Sequence, residues 1–143
     1  MLLDDDYRQV GYSVCYRDRR TEGMVEKLLA RIPRREIYRR TGIQFQSFNT
    51  LYQLAATSEQ EPAWIKAARH LLMLPDYLHY RLCGVPANEY TNSTTTQLLN
   101  LNGEWDTELL AAAGVNRPLM GKPIDAGTTL GPLTRRLPAA MKS

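Results

Sequence analysis

Hydrophobic side chains recur at intervals of three and four residues in several stretches of this sequence, the spacing that places them on one face of an α-helix. The first stretch puts Met24, Leu28 and Ile32 on one face, and Pro33 ends it before a shorter helical segment. Glycine often closes a helix because it adopts the left-handed backbone conformation without strain. Three glycines are therefore predicted to end helices, namely Gly42, Gly84 and Gly114.

Further helices are predicted in the middle of the chain and near residue 110. The first of these lies within residues 43–58, and the hydroxyl of Ser47 is expected to cap its N-terminus. The third is expected to begin at Pro75, and the last is expected to be capped at its N-terminus by Asp106. The second is expected to begin between Ser58 and Pro62. The apolar face of the first consists of Phe48, Leu51, Tyr52 and Ala55, and that of the second consists of Trp64, Ala68, Leu71 and Leu72.

The start of the chain has a different period. Val10, Tyr12, Val14 and Tyr16 alternate with smaller residues, which predicts a β-strand, and a turn at residues 4–6 is expected before it. A second, edge strand is predicted at residues 128–134, TTLGPLT. The expected fold class is α/β and mainly helical, with helices packed on a small sheet.

Length and composition indicate one globular domain. The 143 residues are 43% hydrophobic and 23% charged, and the net charge of +3 comes from arginines scattered along the chain. This distribution does not indicate a dedicated polyanion binder. Cys15 and Cys83 lack a partner motif, which predicts free thiols in the cytoplasm. We expect neither a secretory leader nor a membrane span, and neither nucleic acid nor a membrane as a partner.

Several kinds of active site have no pattern in this sequence. Neither Gly-x-Gly-x-x-Gly nor the P-loop pattern occurs, and the histidines and cysteines lack zinc-ligand spacing. His70 and His79 are expected on helix surfaces. The cluster Arg31, Arg34, Arg35, Arg39 and Arg40 is expected to be a solvated face. An alternative function is a stand-alone helical binding module that uses the arginine-rich segment 31–40 on an acidic partner or nucleic acid.

Three segments, in order, resemble those of the FGGY carbohydrate kinases. The first is YRDRRT, similar to an aromatic-x-Asp-x-Arg-Thr motif, and the second is LMLPDYLHYRLCG, similar to a Pro-Asp-Tyr-Leu helix that ends in glycine. The third begins with Glu89, Tyr90, Thr91 and Asn92 in the polar stretch NEYTNSTTTQLLN and continues to NLNGEWD. Within the family, the match is best to members that phosphorylate L-rhamnulose.

The resemblance implies a fold and an activity. The family fold has two actin-like (ribonuclease H-like) domains that close over a cleft. Residues 1–131 resemble the middle and later part of the first domain, and residues 132–143 form a divergent tail. The implied activity is ATP- and Mg²⁺-dependent phosphorylation of L-rhamnulose at its 1-hydroxyl in L-rhamnose catabolism.

The resemblance also implies that parts of the family's machinery lie outside this chain. The glycine-containing ATP loop would precede Met1, and the aspartate that acts as general base would follow Ser143. We therefore expect a fragment of a kinase, without a catalytic residue or a nucleotide or metal site of its own, and inactive alone because phosphoryl transfer requires the nucleotide to be positioned. Its partners would be the sugar and the missing flanking segments. A further alternative is that a paired chain supplies those segments.

Six residues are candidates for contacts with the sugar. Tyr16 matches an aromatic that packs against the sugar in glycerol-specific members of the family, and Asp18 and Arg20 belong to the same motif. Gln44, Phe48 and Asn49 lie where related kinases place another sugar-contacting aromatic. The alternatives are an ion pair of little energetic value for Asp18 and Arg20, and a core position for Phe48. The polar run 91–96 is expected to be a short capped turn, with hydroxyls facing a sugar cleft as the alternative.

Overall fold

The structure, a computed structural model, describes residues 1–115 and 119–134. Within those ranges the chain forms seven α-helices, one 3₁₀ turn at Arg19–Thr21 and four short strands. The helices are α1 (Met24–Leu29), α2 (Arg34–Thr41), α3 (Thr50–Gln60), α4 (Pro62–Ala67), α5 (Leu74–Cys83), α6 (Tyr90–Thr94) and α7 (Thr107–Ala112). None of them has the length and hydropathy of a membrane-spanning helix.

Helix α3 lies at the centre of the hydrophobic core. Its side chains Leu51, Tyr52 and Ala56 are fully buried, and α1, α4, α7 and the 3₁₀ turn all pack against it. The face predicted from Leu51, Tyr52 and Ala55 is therefore confirmed. Apolar residues from α1 and α7, such as Leu28 and Leu109, complete the same cluster.

The strands form two separate pairs. Strand β1 (Leu2–Leu3) is antiparallel to β2 (His70–Leu71), with Leu2 opposite Leu71. Strand β3 (Asn88–Glu89) is parallel to β4 (Pro123–Ile124), with Asn88 opposite Pro123. The mainly helical α/β class is confirmed, with α1, α4 and α7 packed on α3 and with α6 packed on the β3–β4 pair.

Local signals located several helix ends correctly. Gly42 and Gly84 cap α2 and α5 in the left-handed conformation, with φ of +68° and +77°. The carboxylate of Asp106 caps α7 by accepting hydrogen bonds from the backbone amides of Glu108 and Leu109. The turn at residues 4–6 is also present, since the amide of Tyr7 donates to the carbonyl of Asp4 at 3.1 Å.

The predicted strand at residues 10–16 is wrong. Apart from one hydrogen bond from the Val10 amide to the Leu2 carbonyl, at 2.9 Å, the backbone of this segment joins no ladder. Tyr12 and Tyr16 are exposed instead of lying on a buried sheet face. The edge strand predicted at residues 128–134 is also wrong, because that segment has no regular secondary structure.

Two helix predictions also need correction. Ser47 does not cap α3, because Asn49 occupies the N-cap position, and the exposed Phe48 precedes the helix. The helix expected to carry Ala68, Leu71 and Leu72 ends at Ala67. The chain then becomes extended, because Leu71 and His70 pair with β1. His70 therefore lies in a strand and stacks on Tyr7, with ring centroids 4.2 Å apart, whereas His79 is on the exposed face of a helix as expected.

The polar run 91–96 forms most of the short helix α6 and its C-terminal turn. Glu89 caps this helix by accepting hydrogen bonds from the amides of Thr91 and Asn92, both at 2.8 Å. The hydroxyls at positions 94–96 each donate to the carbonyl three residues earlier, and the hydroxyl of Thr96 also accepts from the Leu98 amide. The prediction of a capped turn is confirmed, with the hydroxyls satisfying the backbone locally.

Candidate functional site

The 3₁₀ turn holds the first group of candidate residues against α3. Asp18 caps the turn by accepting a hydrogen bond from the Arg20 amide at 2.9 Å. The guanidinium of Arg20 donates to the Thr57 hydroxyl on α3 at 3.1 Å. Burial lowers the pKa of Arg20, while the nearby charge of Asp18 opposes that shift. This turn thus places a partly desolvated cation beside the central helix.

Tyr16 and Phe48 meet although they are far apart in the sequence. Their rings are 5.7 Å apart and nearly perpendicular, at 86°, the edge-to-face geometry that aromatic pairs prefer. Both rings remain exposed, at 52% for Tyr16 and 46% for Phe48, so the alternative of a core position for Phe48 is wrong. The side-chain amide of Gln53 on α3 donates a hydrogen bond to the Phe48 carbonyl at 2.6 Å and so holds the backbone of Phe48.

Two pockets lie on either side of Tyr16. The smaller, of about 450 Å³, lies between the 3₁₀ turn and the segment that precedes α3, and Asp18 and Phe48 also line it. The larger, of about 660 Å³, lies between residues 9–16 and α3, and its walls include Tyr16, Arg20 and Thr57. Tyr16 is thus accessible from both pockets.

Trp64 fixes the extended segment at the rim of the larger pocket. Its indole contacts Tyr12 edge-on, with ring centroids 4.7 Å apart. The indole also packs directly on Gly11, where any Cβ atom would overlap the ring and where φ is +68°. Only glycine therefore allows residues 9–16 to run this close to α4.

The remaining two candidates lie outside both pockets. Asn49 is buried, with 5% of its surface exposed, and its side-chain amide donates to the Gln44 carbonyl at 3.2 Å. That contact closes the turn before α3. Neither Gln44 nor Asn49 lines either pocket, and residues 91–96 do not line them either.

Sequence patterns alone did not identify several residues of the larger pocket. Gln53 and Thr57 are one turn apart on α3, and nothing in their spacing indicates that they face a cavity rather than solvent. The alternation of residues 10–16 predicts a strand position for Tyr12, and helical spacing predicts a helix-face position for Trp64. The wider set of missed residues that line this pocket includes Tyr12, Gln53, Thr57, Trp64 and Met73.

Most of the clustered arginines bind groups within the chain. Arg40 forms ion pairs with Glu36, Asp106 and Glu108, which join α2 to α7. Hydrogen bonds from Arg39 and Arg40 lower the pKa of Glu36 to about 2. Arg31 donates to the Ala112 carbonyl, and Arg34 lies over the Phe45 ring. The interpretation of this cluster as a purely solvated face is therefore incomplete, because most of these arginines form ion pairs, hydrogen bonds or ring contacts within the chain.

The side chains that could ligate a metal ion do not cluster in the described part of the chain. Residues 1–115 and 119–134 contain no group of three or more His, Cys, Asp or Glu side chains placed to hold a metal ion. Cys15 and Cys83 are free thiols. The carboxylates that Mg²⁺ prefers as ligands are therefore not gathered into a site within those two ranges.

Comparison with solved structures places this fold among sugar kinases. The chain superimposes on xylulose kinase from Rhodospirillum rubrum with a TM-score of 0.84, covering 94% of this chain and 28% of that one at 22% identity. For ligand-bound xylulose kinase from Lactobacillus acidophilus the TM-score is 0.82, with the same identity and coverage. At this level of identity the likeness concerns the fold.

Sequence comparison gives a closer match. The chain is 52% identical over 132 residues to proteins named rhamnulokinase from Yersinia pestis (strain Pestoides F) and Yersinia pseudotuberculosis (strain IP32953). The match covers 92% of this chain and only 27% of those relatives. The model for the FGGY family of carbohydrate kinases, N-terminal domain, matches residues 1–142. The chain therefore belongs to the FGGY family of carbohydrate kinases.

Proposed function

We propose that this chain is part of an ATP-dependent kinase that phosphorylates L-rhamnulose at the 1-hydroxyl in L-rhamnose catabolism. The observation that carries the proposal is the 52% identity to Yersinia rhamnulokinases over 132 residues. The paired rings of Tyr16 and Phe48, beside two pockets that contain charged groups, support it, because sugars bind through aromatic faces and hydrogen-bonding side chains together.

The proposed role of this chain is to form one side of the sugar cleft. The sugar-contacting set consists of Tyr16, Asp18, Arg20, Gln44, Phe48 and Asn49. Of these, Tyr16, Asp18, Arg20 and Phe48 line the two pockets, whereas Gln44 and Asn49 would act by shaping the turn before α3. Residues 1–131 are the proposed domain portion and 132–143 its tail, of which residues 135–143 lie outside the described residues.

The complete enzyme is proposed to use ATP and Mg²⁺ and to act in the cytoplasm. When bound, the metal-nucleotide would supply the phosphoryl group and neutralise the charge that develops during its transfer. We propose that segments of the longer enzyme hold both groups, because residues 1–115 and 119–134 contain no cluster of metal ligands and the sequence has no phosphate-loop pattern.

A kinase assay tests this proposal. The purified 143-residue chain, supplied with ATP, Mg²⁺ and L-rhamnulose, is expected to release no ADP. Mixing it with separately expressed flanking segments of the Yersinia pestis relative is expected to restore sugar-dependent ADP release. Turnover by the chain alone would contradict the expectation that other segments of the enzyme are required for phosphoryl transfer. Restored turnover with other ketoses but not with L-rhamnulose would contradict the proposed substrate.

The alternative of a stand-alone binding module is not supported. Arg40, Arg39 and Arg31 already bind groups of this chain, so segment 31–40 presents fewer free cations than its sequence suggests. Titration with DNA or RNA at several salt concentrations is expected to show negligible binding with a flat salt dependence, whereas a steep decrease in affinity with salt would revive the alternative.

A further inference from the structure

The hydroxyl of Thr57 is held in one orientation at the wall of the larger pocket. It donates to the Gln53 carbonyl at 2.8 Å and accepts a hydrogen bond from Nη1 of Arg20 at 3.1 Å. Only 5% of Thr57 is exposed. Because the single hydroxyl proton is committed to the helix carbonyl, a lone pair of the oxygen is left to face the guanidinium.

The backbone of Arg20 is fixed at both of its polar groups. Its amide donates to Asp18 at 2.9 Å, and its carbonyl accepts from the Gln60 side chain at 3.4 Å. With the backbone anchored in this way, the remaining freedom lies in the long side chain. The Thr57 hydroxyl removes much of that freedom by holding one end of the guanidinium.

Much of the hydrogen-bonding capacity of Arg20 is available to a ligand. A guanidinium has five N–H donors in a planar fork, and the bond to Thr57 uses one of them. Arg20 takes part in none of the ion pairs formed within residues 1–115 and 119–134. Arg20 lines a pocket to which Tyr12 and Tyr16 also contribute. Sugar hydroxyl oxygens are acceptors that match this arrangement of donors beside aromatic faces.

We propose that Thr57 is a positioning residue, which holds the guanidinium of Arg20 in the orientation that donates hydrogen bonds to the sugar hydroxyls. This inference rests on the proposed sugar-binding function of the chain. Arg20 touches the ligand, whereas Thr57 acts only through Arg20. Thr57 should therefore contribute nothing to binding once Arg20 is removed.

Calorimetric titration with L-rhamnulose of the 143-residue chain, mixed with the flanking segments of the Yersinia pestis relative, tests the proposal. Thr57→Val keeps the shape of the side chain but removes the hydroxyl, and is expected to weaken binding about tenfold, a factor equivalent to about 1.4 kcal/mol. Thr57→Ser retains the hydroxyl and is expected to restore the affinity to within about twofold. Arg20→Ala should bind as weakly as Thr57→Val or more so, and the double variant should bind no more weakly than Arg20→Ala alone.

The outcomes separate this inference from the proposed function. Suppose that Arg20→Ala weakens binding and Thr57→Val binds like the wild type. This result would leave the proposed sugar pocket standing but would overturn the role of Thr57. A double variant weaker than Arg20→Ala would also overturn it, because Thr57 would then act independently. If the wild-type chain mixed with the flanking segments binds inorganic phosphate but not L-rhamnulose, or binds neither ligand, both the proposed sugar pocket and this inference are overturned.

Arg20→Lys provides a second test that does not depend on the folding of the Thr57 variants. Lysine keeps the charge but lacks the planar fork that Thr57 holds at one end. We expect Arg20→Lys to bind L-rhamnulose as weakly as Arg20→Ala, with the thermal unfolding curve of each variant confirming that it is folded. Wild-type affinity in Arg20→Lys would overturn the proposal.

Discussion

Asp106 has two roles that substitution can separate. One carboxylate oxygen, Oδ1, accepts hydrogen bonds from the amides of Glu108 and Leu109 at 3.0 Å, which caps α7. The same carboxylate lies 3.3 Å from the guanidinium of Arg40 on α2. Asp106→Asn keeps a side-chain oxygen for the cap but removes the charge, whereas Asp106→Ala removes both.

The structure sets the expected size of each effect. Asp106 is 8% exposed and the Arg40 side chain 23% exposed, so their pair lies between a surface ion pair and a buried one. Arg40 keeps Glu36 and Glu108 as partners when Asp106 changes, which limits the cost of losing the charge to about 1 kcal/mol. Losing the cap costs about 1 kcal/mol more. We therefore expect Asp106→Asn to lower the free energy of unfolding by about 1 kcal/mol and Asp106→Ala by about 2 kcal/mol.

Urea unfolding followed by far-ultraviolet circular dichroism measures these values, and thermal unfolding provides a check. For a domain of this size, about 1 kcal/mol corresponds to about 4 °C in Tm. Arg40→Met is the matched control, because its effect should shrink when Asp106 is already asparagine. Equal losses in Asp106→Asn and Asp106→Ala would refute the capping role, and full additivity of Arg40→Met with Asp106→Asn would refute the ion pair.

Three other predictions concern the stability of the fold. Gly114→Ala should lower the free energy of unfolding by about 2–4 kcal/mol, since φ is +80° and a Cβ atom would overlap Ser58; Ser58→Gly should recover part of this loss in the same urea titration. Hydrogen bonding from Thr91 lowers the pKa of Glu89 in the folded protein. The stability that this carboxylate contributes is therefore fully present above the pKa of the unfolded chain, and it is lost as the pH falls through the lower pKa of the folded state. Glu89→Gln should flatten that acidic part of the stability profile, and an unchanged profile would contradict the assignment. Burial raises the pKa of Asp76 in the folded protein. The stability that this group contributes is therefore greatest below the pKa of the unfolded chain and is lost as the pH rises through the pKa of the folded state. Asp76→Asn should abolish this loss in unfolding curves taken from acidic to neutral pH.

Sequence-based prediction succeeded where the deciding contacts are local. The ends of α2 and α5 follow from Gly42 and Gly84, and the start of α7 follows from Asp106, because each residue acts on backbone groups within one turn. The turn formed by the polar run is local for the same reason. Its threonine hydroxyls bond to carbonyls only three residues away.

Prediction failed where a partner distant in the sequence decides the conformation. Residues 10–16 have the alternation of a strand, but a strand requires a neighbouring ladder, and here Trp64 packs on Gly11 instead. Leu71 fits a helical stripe, yet it is extended because β1 lies beside it. Periodicity describes which side chains share a face and does not specify what that face meets.

The sequence by itself determined the mainly helical character of this protein, several helix termini and, through three ordered segments, its resemblance to FGGY kinases. Only the tertiary structure decided that Tyr16 meets Phe48 and that Arg20 meets Thr57, which is 37 positions away. The physical reason is the distance along the sequence between the residues that interact. Caps and turns depend on hydrogen bonds between near neighbours, whereas a pocket forms only when packing around α3 brings separate segments together.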